Sequence, residues 1–185
     1  MKAKVRKLSL SVMQADVLDQ DVGAVVYGTD TELHLSPLLL SRAGLSIGRE
    51  IALIGSCPPG EAVITSAGSL KAAHIIHAVV PRWGDPSSRG RLSSAVFHAL
   101  RLAEEQRIRS LAFPALSTGA LGFPIETSAS VLIGTIIDYC FEPLRALRSI
   151  RLCVDDARTL AAFERELAEQ LQALEDEAAD AQDSP

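Results

Sequence analysis

The 185-residue chain is poor in aromatic residues, which make up 4% of it, so Val, Ile, Leu and Ala must fill its core. It has no surplus of cations: the formal net charge is −5. That argues against a dedicated nucleic-acid binder, because neutralising phosphates takes an excess of Lys and Arg, although a local basic patch remains compatible with it. No apolar run approaches the roughly 18–20 residues that span a bilayer. No apolar stretch follows the early Lys and Arg, so neither a membrane span nor a signal peptide is expected. The three cysteines, Cys57, Cys140 and Cys153, are odd in number and none stands in a CxxC pair. This fits a reducing cytoplasm, excludes a zinc site evident from spacing, and reads as three buried, inert thiols. No metal or cofactor is expected.

What is present is patterned. Hydrophobic residues make up 48%, and the length fits one domain with a short remainder. Residues 5–12 alternate apolar and polar, which predicts a strand with one exposed face. Residues 22–27, 62–66, 74–80, 110–114 and 149–154 are short apolar runs that read as buried strands. Helical signals lie between them. Ser36 followed by Pro37 is a helix start and Gly44 a stop; a second short helix is expected over 47–54. Residues 91–106 carry an apolar face at helical spacing, 124–141 open with Pro and then run apolar, and 156–177 place Leu160, Phe163, Leu167 and Leu171 on one stripe. Strands alternating with helices imply an α/β fold with a mostly parallel central sheet and helices on both faces, the antiparallel exception falling near the N-terminus. The domain is expected over 1–171, and 172–185 as an acidic helix end and disordered tail.

Ligands of open parallel sheets bind beyond the carboxyl ends of the strands, so the loops that follow strands carry the information. Asp16 and Val17 follow the first strand; an Asp there can accept a hydrogen bond from an exocyclic amine such as adenine N6, or can cap a turn. Ser117, Thr118, Gly119, Ala120, Leu121 and Gly122 form a loop ahead of the helix that Pro124 opens. Two glycines let the backbone approach a guest, and free N–H groups before a helix make an anion nest suited to a diphosphate. This loop is the strongest local signal, against a plain strand-to-helix turn. Asp30, among Tyr27, Gly28, Thr29 and Thr31, can hold ribose hydroxyls or form an Asx-turn. His77, inside an apolar run, reads as a core histidine rather than a base, His34 as solvent-facing, and Trp83 as a packing residue at a loop base.

Together these segments resemble the macrodomain family, which recognises ADP-ribose. Residues 58–65 (PPGEAVIT) with 74–79 (HIIHAV), and 111–119 (LAFPALSTG), are similar to family strings in the family order. The resemblance covers about residues 8–167 and implies a mixed six- or seven-stranded sheet between helices. It places Asp16 at the position of the adenine-recognising Asp, and 117–122 at the second phosphate loop, with Leu121 where an aromatic is usual. The loop after the second strand departs from the pattern. Tyr27 and Asp30 stand where two Asn are usual, the glycine run is missing, and Ser36 replaces an Asp; the first Asn and that Asp are commonly invoked in positioning water.

Three functions compete. One is a module that weakly binds ADP-ribose, a related adenine nucleotide diphosphate or an ADP-ribosylated protein. The second is a degenerate macrodomain serving as a protein-interaction scaffold, resting on the missing glycines and the Leu38, Leu39, Leu40 replacement. The third is an ADP-ribosyl hydrolase using Asp30 or His34 to orient water.

Overall fold

A computed structural model describes residues 1–182. Seven strands form one sheet: β1 (Lys2–Val5), β2 (Leu8–Gln14), β3 (Ala24–Thr29), β4 (Ala62–Ser66), β5 (His74–Val79), β6 (Ser110–Pro114) and β7 (Ser149–Val154). Their order is β1-β2-β7-β6-β3-β5-β4. The five inner strands run parallel, and an antiparallel strand closes each edge. The helices are α1 (Pro37–Ala43), α2 (Ser46–Ile54), α3 (Ser88–Glu105), α4 (Ile125–Tyr139) and α5 (Ala157–Gln182), with one 3-10 turn at Val17–Asp19.

The expected single strand over 5–12 is instead the hairpin β1–β2, turning at Arg6 and Lys7. Such a tight turn needs a positive φ, usually supplied by Gly or Asn. Here Arg6 adopts it at φ 52°, so the sequence carried no turn signal. The expected strand over 62–66 forms as β4, but it runs antiparallel, at the edge away from the N-terminus where the exception was expected. Seven residues separate it from β5, too few for the crossover that a parallel pair requires.

Strand alternation divides the core in two. Ala24, Val26, Ile76, Leu111, Phe113, Ile150 and Leu152 point to the face covered by α3, α4 and α5. Val25, Ile75, Ala112 and Cys153 point to the face covered by α1 and α2. The period of two therefore buries both faces, as the continuous apolar runs require. α1 begins as its sequence dictates: the Ser36 side chain accepts from the Leu39 amide, Pro37 occupies the first turn, and Gly44 ends it at φ 88°. α3 starts at Ser88, three residues before the periodic face becomes visible. α5 runs to Gln182, its stripe packed through Leu174 and its surface exposed over 175–180. Of the expected tail, 183–185 lie outside the described residues. All three cysteines are buried, and burial pushes the Cys140 and Cys153 thiols up to about 11. Among the described residues no helix is long and apolar enough to cross a membrane, and no group of side chains could hold a metal.

Candidate functional site

The parallel strands β2, β7, β6, β3 and β5 all end on one edge of the sheet, and a solvent-open cleft of about 350 Å³ crosses their carboxyl ends. The residues that follow the strands line it: Asp16 and Val17 after β2, Asp155 after β7, Pro114 to Ala120 without Thr118 after β6, Tyr27 and Gly28 in β3, and Val80 after β5. Ser36, which caps α1, and Leu38 within it form part of the rim, and Leu18, Val26 and Leu121 complete the lining. A larger concavity, about 770 Å³, lies at the opposite end among arginines and shares none of these groups.

At one end of the cleft the Asp16 carboxylate is fixed from two sides. Its Oδ1 accepts from the Leu18 amide at 2.8 Å and caps the 3-10 turn. Its Oδ2 accepts from Arg42 of α1 at 2.5 Å, and the same guanidinium reaches Asp19 at 2.5 Å. Both readings of Asp16 thus hold structurally: it caps a turn, and it presents a half-exposed carboxylate to the cleft. An ionised carboxylate has about four acceptor positions, so two engaged donors leave capacity for an amine.

The opposite wall is the β6–α4 loop. It is closed by Phe123 N–H to Ser117 O at 3.0 Å and Gly122 N–H to Gly119 O at 2.9 Å. The Thr118 hydroxyl donates to Ala115 O, and buried Ser128 donates to Leu116 O at 2.7 Å. Ser117 and Gly122 take positive φ, 66° and 77°. Between those closures the amides of Gly119, Ala120 and Leu121 donate to no protein acceptor among the described residues. The Ser117 hydroxyl is buried and likewise without a partner. Trp83 braces this loop from behind: its amide donates to Leu121 O at 2.8 Å, and its ring meets Phe123 edge-on at 5.0 Å. It does not line the cleft, in keeping with its reading as a packing residue.

The third wall, between β3 and α1, satisfies itself. Asp30 Oδ1 accepts from the amides of Glu32 (3.1 Å) and His34 (3.2 Å), and Oδ2 meets the His34 ring at 2.8 Å. Partial burial works against ionisation of Asp30, but the His34 bonds outweigh it and hold the carboxyl below its ordinary range. Thr29 donates to His34 O at 2.9 Å, and the Tyr27 hydroxyl accepts from the Ser36 amide at 3.1 Å. Asp30 is therefore an Asx-turn anchor, and it lies outside the residues that line the cleft. His34 is exposed, as read from sequence. Of the leucines, Leu38 stands on the rim at 61% exposure while Leu39 is fully buried beneath it, so the leucine run borders the cleft and does not fill it.

Beside Tyr27, its neighbour in register on β5 is His77. His77 is fully buried. Thr65 donates to Ser66 O, so its hydroxyl accepts from His77 Nε2–H at 2.9 Å. His77 Nδ1 has no partner, and burial lowers the ring's pKa to about 4 against a weak opposing pull from Glu50. His77 is a core residue, separate from the cleft lining.

Six of the nine expected site residues thus line one cleft: Asp16, Val17, Ser117, Gly119, Ala120 and Leu121. Thr118 and Gly122 shape the loop from outside the lining, and Asp30 serves its own turn. Asp155 was missed. Its signal was an acidic pair after β7, in which Asp156 caps α5 through Thr159 and leaves Asp155 to the cleft.

The family profile of the Macro domain matches residues 35–132. A Macro domain-containing protein of Caldanaerobacter subterraneus is 36% identical over 143 residues, 72% of this chain and 82% of the relative. An O-acetyl-ADP-ribose deacetylase of Klebsiella pneumoniae is 37% identical over 147 residues, 76% of this chain and 80% of that enzyme. Among solved structures, a macrodomain of Oceanobacillus iheyensis with ADP superposes at TM-score 0.88 and 22% identity, covering 94% of this chain and 97% of the other. At that identity the likeness concerns the fold.

Proposed function

The chain belongs to the macrodomain family, and from that premise we propose that its cleft binds ADP-ribose, free or as the modification of a protein, or a related adenine nucleotide diphosphate, weakly and without efficient hydrolysis. One observation carries this reading: a carboxylate acceptor, Asp16, and three unengaged backbone donors, Gly119, Ala120 and Leu121, line the same cleft. Asp16 accepts the adenine amine through a charge-assisted bond of about 1.5–3 kcal/mol. The loop amides take the diphosphate. The name of the Klebsiella relative, an O-acetyl-ADP-ribose deacetylase, supports ADP-ribose as the ligand class.

Weakness follows from the third wall. Its amides at Glu32 and His34 are already spent on Asp30, so they offer the diphosphate nothing. Leu121 packs on ribose less well than an aromatic ring. We place the dissociation constant between tens of micromolar and millimolar, about −4 to −6 kcal/mol. Hydrolysis lacks a positioned base. The carboxylates lining the cleft are Asp16, tied to Leu18 and Arg42, and Asp155. Tyr27 and Ser36, which stand where the family has water-positioning residues, are bonded to each other. Exposed Leu38 on α1, Leu45 between the two helices and Leu53 on α2 favour a scaffold role as the alternative. Calorimetric titration with ADP-ribose, with ADP and AMP as controls, decides. Saturable heat supports the binding reading, and none at millimolar ligand with folded protein leaves the scaffold.

A further inference from the structure

The amino ends of the parallel strands differ from the carboxyl ends in charge. Lys7, Arg148 and Arg109 immediately precede β2, β7 and β6, three neighbours in the sheet. The pairings Ser9 with Ser149 and Ser149 with Ser110 put these cations at nearly one level. Adjacent strands lie about 4.8 Å apart, so the cations form a row across the sheet edge. Arg109 and Arg148 of this row line the concavity of about 770 Å³, together with Arg107 and Arg145. An adjoining concavity shares Pro143 and Arg145 and adds Arg6, Lys7 and Phe141.

The acidic groups there are largely occupied. The Glu104 carboxylate accepts from the amides of Arg145, Ala146 and Leu147, and these bonds keep it ionised below the usual range against a desolvation that would raise it. Glu105 faces Arg101 at 3.5 Å. Glu142 is the remaining counter-charge in the two concavities. Arg148 is also committed, donating to the carbonyls of Leu147 and Arg145, both at 2.7 Å, and so it shapes the loop. The guanidinium groups of Arg107, Arg109 and Arg145 donate to no protein acceptor among the described residues and are exposed. Arg107 takes φ 57° just past the end of α3, a position where Gly is the unstrained choice. Six cations against three carboxylates make this end positive in a chain of net charge −5. Beside them Phe141 is 54% exposed, with Arg6 over its ring at 5.0 Å.

We propose that this amino-end surface binds single-stranded nucleic acid, with Arg107, Arg109 and Arg145 on the phosphodiester backbone and Phe141 beneath an unstacked base. Free guanidinium groups and an exposed ring in a basic groove are the elements that single strands use, since every base has a π-face. A duplex keeps its bases stacked and would leave Phe141 without a partner. A flat membrane does not reach into a concavity. The whole-chain charge, which argued against nucleic acid, averages over this local reversal.

Fluorescence anisotropy with labelled twelve-nucleotide oligo(U) and oligo(dT) tests it, using the full chain. The double variant Arg109→Glu/Arg145→Glu, Phe141→Ala, the annealed duplex, and phosphatidylserine vesicles complete the experiment. Thermal melting reports the fold of each variant. ADP-ribose calorimetry reads the opposite cleft, so failure there is separable from failure here. Saturable single-strand binding is expected. It should weaken at least tenfold in the double variant, severalfold in Phe141→Ala, and more than tenfold between 50 and 200 mM salt. The ratio of oligo(U) to oligo(dT) affinity assigns RNA or DNA. No binding by protein with a normal melt, binding untouched by the double reversal, tighter binding of duplex, or capture by vesicles in place of the oligonucleotide would each overturn the proposal.

Discussion

Two loops face each other across the cleft, and they spend their backbone donors differently. The β6–α4 loop closes itself at its ends, through Phe123 to Ser117 and Gly122 to Gly119, and leaves the amides between them unengaged. The β3–α1 loop turns its amides inward, onto Asp30. One wall is ready to receive an anion; the other has its anion already, as a covalent part of the chain. A phosphate site is thus a question of which N–H groups remain unsatisfied by the protein.

The largest expected effect concerns His77, which lies beside Tyr27 of the self-satisfied wall on the neighbouring strand. The folded state resists protonation of this ring until about pH 4, whereas an unfolded histidine takes a proton near 6.5. The unfolded chain therefore binds more protons in that window. Stability should be complete above about pH 6.5 and drain as the pH falls toward 4, by about 2–3 kcal/mol between pH 7 and 4.5. Urea unfolding at the two pH values measures it. His77→Gln should flatten the dependence; an unchanged slope would mean that other groups carry it.

On the receptive wall, Gly119→Val should weaken ADP-ribose and ADP alike, by about thirtyfold or more, roughly 2 kcal/mol. A Cβ at Gly119 meets nothing within 4 Å, so the branched side chain fits the free protein and obstructs only the guest. Melting should be unchanged. Equal affinity in the variant would move the diphosphate elsewhere.

Asp16→Asn sharpens the division of labour. Alanine here would also remove the cap of the 3-10 turn; asparagine keeps an oxygen for the Leu18 amide and gives up the Arg42 ion pair with the charge, so it is the cleaner probe. Loss of the charge-assisted bond should cost ADP-ribose about five- to tenfold, on the order of 1 kcal/mol, and leave ribose 5-phosphate within twofold. A parallel loss for both ligands would show that Asp16 acts by holding the loop.

The smallest effect should come from Asp30→Ala: affinity within about twofold, and stability lower by at most about 1 kcal/mol for the lost turn bonds. A tenfold change in affinity would put Asp30 in the site and erase the contrast between the two walls.

Much of this architecture was legible in the sequence because its causes are local. Five strands matched apolar runs to within two residues, since burial of both faces of β3, β5, β6 and β7 leaves few polar positions. The start of α1 was written in Ser36 and Pro37. The β1–β2 turn was hidden because Arg6 takes a conformation that its residue type does not advertise. The site was half legible for the same reason. The β6–α4 loop announces itself through its glycines, whereas the Arg42–Asp16 pair joins residues 26 apart and needs the fold to be seen. The Asx-turn at Asp30 was one of the two readings its sequence allowed, but that the turn spends the His34 amide as well as that of Glu32 needs the fold to be seen.

The most direct test of the contrast is an amide NMR titration of the ¹⁵N-labelled protein with ADP-ribose. The account expects saturable shifts at Gly119, Ala120 and Leu121, with a dissociation constant of about tens of micromolar to millimolar, and amides of Glu32 and His34 that stay in place. Shifts concentrated at Glu32 and His34, or none in the β6–α4 loop at millimolar ligand, would contradict it.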